Sequence, residues 1–442
     1  MDGPMRVMTW NDLDGPARAS LMDRGRSAIF DDGLRSSIGH IIDDVRAHGD
    51  DAVCRALLTF DGVEVSPEGL KVTDAEFAAA RAEVGDDLLA AIRDLIDHVR
   101  RFNEQVLAQR ADWNFETEPG LVVGEKWSAI ASAGLFVPCG KGSFPSVLAQ
   151  IGTPAVVAGV ETVIVLVPPV AGSGGLVDPA VLVTASELGL RDVFRVNGPA
   201  GIAAAAFGTL NIPKVVKVLG PGSPPVVCAQ LEVQRYGCSS VMLLGPTESL
   251  VVADDSADAR LLAADLLIEA EHGDDSSVVL VTPSRALVDA TQRELASQLA
   301  ALPEPRRHYA ASALGVNGGA VIVDDLEAAF AVANAYAPEH LQLVVADSDA
   351  ALTHLHDAGE ILVGQHTPFS AANFVIGCPA ALPTSGFATV SSGITVDAFL
   401  KRTAVARADA VALARMTPSV VALAEHEGFP AHAAAVRARI VP

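Results

Sequence analysis

The chain has 442 residues, half of them hydrophobic, and its 54 acidic against 31 basic side chains give a formal charge of −23. That length exceeds one ordinary core and predicts two to four domains. The acidity, with no lysine-rich stripe, excludes a nucleic-acid partner. The most apolar run, Val163 to Val170, is bounded by Glu161 and a Gly/Ser/Pro cluster, so it reads as a buried strand and not a membrane span. Met1-Asp2-Gly3-Pro4 has no basic stretch leading into an apolar one, so no export signal is expected and the cytoplasm is the expected location. Cys54, Cys139, Cys228, Cys238 and Cys378 are scattered without a Cys-x-x-Cys pair, which argues against a disulfide framework and a thiolate zinc site.

From about Asp31 to Arg110 the apolar residues recur at helical spacing, as in Ile38, Ile41, Ile42, Val45 and then Leu88, Leu89, Ile92, Leu95, Ile96, Val99. Residues 1–125 are therefore expected to be mostly helical. From about Gly134 short β-branched runs alternate with alanine-rich helical stretches: Val156 to Ala158, Thr162 to Val167, Ala180 to Leu190, Val193 to Val196, Ile202 to Phe207 and Val215 to Leu219. A second such series starts with Ser240 to Leu244 and continues through Val278 to Val281, Ala320 to Val323, Leu341 to Val345 and Ile361 to Val363. Two parallel α/β modules are predicted, over 126–239 and 240–385. Beyond Thr384-Ser385-Gly386 the pattern returns to helix, so 386–442 reads as a helical tail.

Two acid–histidine clusters stand in this apolar setting, Glu269-Ala270-Glu271-His272 and Pro338-Glu339-His340. A helical Glu-x-x-His step puts both side chains within reach of one metal ion. An adjacent carboxylate and imidazole offer two proton acceptors of different basicity, which suits a reaction that removes more than one proton. Each signal alone also fits a solvated helix start. Gly220-Pro221-Gly222-Ser223, Asn197-Gly198-Pro199-Ala200-Gly201 and Gly245-Pro246-Thr247-Glu248 each follow a predicted strand, where backbone amides can meet a pyrophosphate or simply make a turn.

Several blocks resemble the histidinol dehydrogenase family in the same order along nearly the whole chain. They are Ile41 to Arg46 with Phe60-Asp61-Gly62-Val63, Pro154 to Val160, Asp265 to His272, Ala337 to Leu341, and Ser391 to Val396 with Phe399 to Thr403. The resemblance implies two incomplete Rossmann-like domains of parallel sheet, small helical N-terminal and C-terminal domains, a zinc ion, NAD, and a homodimer whose tail completes the partner's site. It also implies oxidation of a primary alcohol through an aldehyde to a carboxylate. His340 would take the alcohol proton and Glu339 would activate water. The family's metal positions fall on Glu269, His272, Asn373 and His432. Its substrate contacts fall on these four together with Thr247, Glu339, His340 and Glu427, and its NAD contacts on Phe136, Ala200 and Ser223.

Departures from the family pattern narrow the expectation. Glu269 stands where glutamine is usual and Asn373 where aspartate is usual, so one negative charge has moved between two ligand positions. Phe136, Ala200 and Ser223 replace tyrosine, glutamine and asparagine. Ala380 replaces a histidine near the substrate, and Thr247 replaces serine, a change that resembles relatives such as sulfopropanediol dehydrogenase. The expectation is a zinc- and NAD-dependent dehydrogenase of a small polar primary alcohol other than histidinol. An authentic histidinol dehydrogenase and a non-redox zinc protein on the same fold remain the alternatives.

Overall fold

In the computed structural model, residues 3–24, 31–140, 142–241 and 245–440 are described. The strands in chain order are β1 (Val7–Thr9), β2 (Trp113–Glu118), β3 (Leu121–Ala129), β4 (Ser132–Phe136), β5 (Thr162–Val167), β6 (Val193–Arg195) and β7 (Lys217–Leu219). They continue as β8 (Glu248–Ala253), β9 (Ser277–Thr282), β10 (Gly319–Ile322), β11 (His340–Val344), β12 (Glu360–Val363) and β13 (Leu400–Ala408). The β-branched runs pair into two parallel sheets, ordered β6-β5-β4-β7 and β1-β10-β9-β8-β11-β12. The chain is thus α/β with two parallel sheets, as predicted.

The N-terminal helices build no core of their own. The helix Asp32–His48 lays Ile38, Ile42 and Val45 with Ile202 and Ala205 of the helix Gly198–Phe207 on one face of the first sheet. The helices Asp86–Ala108 and Pro145–Ala158 cover the other face through Ile92, Ile96, Val99, Leu148 and Ile151. Each such side chain contributes about 1.5–3 kcal/mol on burial. The second sheet is covered by the helix Ala259–Ala270 on one face and Leu326–Tyr336 on the other. The N-terminal segment crosses to join it, placing β1 beside β10 and burying Met5, Met8 and Leu21 there.

Three elements differ from the sequence reading. Val156 to Ala158, expected as a strand, are the last turn of the helix Pro145–Ala158, which runs through Pro154 and stops at Gly159 in the left-handed conformation. The valines cost the helix only a few tenths of a kcal/mol each, less than the burial of Leu148 to Ala155 returns. The strand expected at Ser240 to Leu244 starts later, as β8 at Glu248. Ser240 and Val241 are not in a strand, and Met242 to Leu244 lie outside the described residues. The ends of the chain are not purely helical, because β13 pairs antiparallel with β3, and β3 with β2. β2 is exposed along its whole length, so no buried face imposes the alternation that marks a strand in sequence. No helix among the described residues is long and apolar enough to cross a membrane.

Candidate active site

A cleft of about 1080 Å³ lies between the two sheets. Its walls follow the carboxyl ends of the first sheet at Pro138, Pro168, Asn197 and Ser223. They precede the amino ends of the second at Thr247, Ser276 and Glu339. Gly245 to Thr247 therefore lead into a strand instead of following one. The volume suits a dinucleotide beside a small molecule.

Local rules explain how Glu339 and His340 come to face this cleft. The helix Leu326–Tyr336 ends at Ala337 in the left-handed conformation (φ 48°), and Pro338 cannot continue a helix, so the chain turns directly into β11. Both residues are buried, which rules out the solvated helix start. The Glu248 backbone N–H donates to Glu339 Oε2 at 3.0 Å. His340 Nδ1 lies 2.6 Å from Glu360 Oε1, its register partner on β12. With Nδ1 anchored on that carboxylate, Nε2 is the nitrogen left to exchange protons with the cleft, 3.7 Å from Glu339 Oε1.

The second cluster meets the first across the cleft. Glu269 occupies the last turn of the helix Ala259–Ala270, whose start is capped by Asp258. Its Oε1 accepts from Asn373 Nδ2 at 2.6 Å, and His272 Nε2 lies 3.6 Å from Oε2. Oε2 is buried and has no hydrogen-bond partner among the described residues. Burial would lower His340, but Glu339, Glu269 and Glu360 outweigh it and hold the imidazole up to about 10. Burial pushes Glu339 up to about 8, against the pull of His340 and with added repulsion from Glu269. A buried site with this excess of negative charge and an orphaned carboxylate oxygen beside an imidazole fits a divalent cation. Glu269, His272 and the Asn373 amide oxygen are the donors this chain can offer it. No group of three or more His, Cys, Asp or Glu gathers at metal-binding distance among the described residues.

The first sheet's side of the cleft fits a pyrophosphate. The helices Gly198–Phe207 and Pro224–Glu232 both begin there, and neither has a side-chain cap on its N-terminal amides. Gly220 (φ 138°) has no room for a side chain, since a Cβ there would lie 2.1 Å from the Phe136 carbonyl oxygen. Phe136 and Ser223 line the cleft, whereas Ala200 is buried inside its helix behind the lining residues Asn197 to Pro199.

Thr247, Glu269, His272, Glu339, His340 and Asn373 thus come together on the wall of one cleft from positions spread over 126 residues, 247 to 373. Glu427 and His432 do not join them in this chain. Both are exposed, at the end of the helix Ala410–His426 and in the helix Pro430–Arg437. Sequence reasoning missed Glu360 and Glu248. Their roles arise from the β11–β12 register and from a backbone amide, and neither leaves a spacing signal. Glu248 is itself held by a buried ion pair to Arg24 and accepts from the Ser385 N–H.

Two parallel sheets flanking a cleft with a carboxylate–imidazole pair define a two-lobed α/β enzyme scaffold. The sequence matches the histidinol dehydrogenase family over residues 25–440. The chain belongs to that family, whose members are NAD-dependent oxidoreductases acting on CH–OH groups. It is 39% identical over 427 residues to the histidinol dehydrogenase homolog 2 of Mesorhizobium japonicum, covering 96% of this chain and 95% of the relative. It is 40% identical over 412 residues to the histidinol dehydrogenase of a Synechocystis species, covering 90% and 91%. The crystal structure of histidinol dehydrogenase from Elizabethkingia anophelis superposes with a TM-score of 0.90 at 28% identity, covering 100% of this chain and 99% of that one.

Proposed function

We propose that the protein is a zinc- and NAD-dependent dehydrogenase that oxidises a small polar primary alcohol, other than histidinol, through the aldehyde to the carboxylate. The observation that carries this reading is the meeting of Glu339 and His340 with Glu269, His272 and Asn373 in one cleft beside two uncapped helix starts. When bound, zinc polarises the substrate oxygen as a Lewis acid and NAD accepts the hydride. Each alcohol then consumes one water and two NAD and releases two NADH. With a bound divalent charge offsetting the carboxylates that hold His340 up, its imidazole is neutral, and Nε2 takes the alcohol proton while the Glu360 carboxylate steadies the imidazolium through Nδ1. Glu339, its ionised form favoured by the same cationic charge and its carboxylate oriented by the Glu248 amide, takes a proton from the water that adds to the aldehyde.

Residues 126–239 and 240–385 act as the two catalytic domains, with 1–125 packed around them and 386–442 exchanged in a homodimer. The exchange is supported by exposed Val411, Leu423 and Phe429 on the tail, and by the exposed positions of Glu427 and His432, which the partner's cleft would use as substrate contact and metal ligand. Five free thiols suit the reducing cytoplasm. A substrate other than histidinol is supported by Ala380 on the cleft wall and by the word homolog in the names of similar relatives.

NADH absorbance on a panel of primary alcohols and their aldehydes tests the reading. Two NADH per alcohol from a substrate other than histidinol is the expected result. Highest kcat/KM on histidinol would make the chain an authentic histidinol dehydrogenase. NADH from none of them would favour a non-redox zinc protein.

A further inference from the structure

The helix Pro145–Ala158 is apolar wherever it is buried except at Gln150 and Thr153, and Gln150 lies on the cleft wall, only 3% exposed. Its Oε1 accepts from the Ala380 N–H at 3.4 Å. That backbone donor sets the amide's orientation, since the opposite rotamer would oppose two N–H groups. The remaining donor, Nε2, is buried and has no partner among the described residues. An unpaired buried donor destabilises the fold unless something else receives it. Ala380, which ends in a methyl group, leaves space beside it.

We propose that Gln150 Nε2 is a substrate-recognition donor that binds a neutral oxygen of the substrate, remote from the hydroxyl that is oxidised. The inference rests on the alcohol-oxidation reading and narrows its substrate class to diols, polyols or ether alcohols. Charge selects against an anionic substituent. The described residues lining the cleft include Asp61, Glu269 and Glu339 and no lysine or arginine. A carboxylate or sulfonate placed at Gln150, away from the cation site, would lose its hydration for a single neutral donor, with no described lysine or arginine on the wall to replace it. A hydroxyl or ether oxygen needs a single donor, and Gln150 supplies one.

The test compares n-butanol, its ether isostere methoxyethanol, glycerol and the anionic hydroxypropionate. It uses the wild type, Gln150→Met and Gln150→Glu, with kcat/KM from NADH formation and binding from calorimetry. Gln150→Met removes the amide. Gln150→Glu keeps an acceptor for the Ala380 N–H but removes the amide donor. In both variants the preference for methoxyethanol and glycerol over n-butanol should fall about tenfold, mainly through KM, the value of one hydrogen bond. Hydroxypropionate should be the poorest ligand throughout.

Wild-type preference in Gln150→Glu would reduce Gln150 to a tether for Ala380 and overturn the proposal. So would an unchanged preference in both variants, or hydroxypropionate as the best ligand. Binding that follows the expected pattern without NADH from any alcohol would sink the dehydrogenase reading and leave the Gln150 contact standing.

Discussion

Replacing Glu360 by Gln keeps an oxygen acceptor opposite His340 Nδ1 and removes the negative charge. The pair lies at 2.6 Å with side chains only 3% and 6% exposed, so solvent screens it little. A hydrogen bond to a charged group contributes about 1.5–3 kcal/mol, less than the cost of deleting a buried partner outright because the amide still accepts. At about 1.4 kcal/mol per pH unit, Glu360→Gln should bring His340 down from about 10 to about 8–9. His340 is raised above its ordinary 6.5. The stability it contributes is therefore fully present below that pH and is lost as pH rises through about 10. In chelator-treated protein, urea unfolding should show the variant about 1.5–3 kcal/mol less stable at pH 6–7, with the gap closing between about pH 8 and pH 10. A gap that stays constant over this range would refute the electrostatic account of His340. No gap at all would refute the contact.

Glu269→Gln leaves the cation site without an anionic ligand from this chain, so it should lose more zinc on mild chelation than Asn373→Ala. The double change Glu269→Gln with Asn373→Asp should restore it, and equal metal content by elemental analysis in all the proteins would contradict the charge exchange. With an active substrate in hand, His340→Gln should slow alcohol oxidation more than oxidation of the supplied aldehyde, and Glu339→Gln the reverse, each by about 10²- to 10⁴-fold. Near-wild-type rates for both steps would reject these roles. If the tail is exchanged, co-expressed Glu339→Gln and His432→Ala chains should form mixed dimers with one intact site and regain activity that neither variant has alone. Mixed dimers that stay inactive would place His432 outside the partner's cleft.

Much of the fold is legible from local pattern. Runs such as Val163 to Val167 and Val278 to Val281 are apolar without interruption and mostly β-branched, because strands buried on both faces leave no polar alternation. Pro179 after Asp178 marks a helix start, and the structure puts an Asp178-capped helix there. Glu339-His340 and Glu269 with His272 were visible as clusters because each pair is close in sequence. Their meeting is implied by the family resemblance but by no local spacing, since 67 residues separate His272 from Glu339. Only the order β9-β8-β11 in the second sheet brings their elements together. The same limit hid Glu360, which faces His340 through parallel register, and Arg24, whose ion pair reaches 224 residues along the chain. It also hid the fate of Val7 to Thr9, a short run that becomes a strand only because β10 offers an edge. Residue type and periodicity decide which segments become strands or helices and which side chains can do acid–base chemistry. Which of those side chains share a proton, a charge or a cleft is decided by contacts between distant segments, because the Coulomb and hydrogen-bond terms involved act over a few ångströms of space and carry no trace of sequence separation.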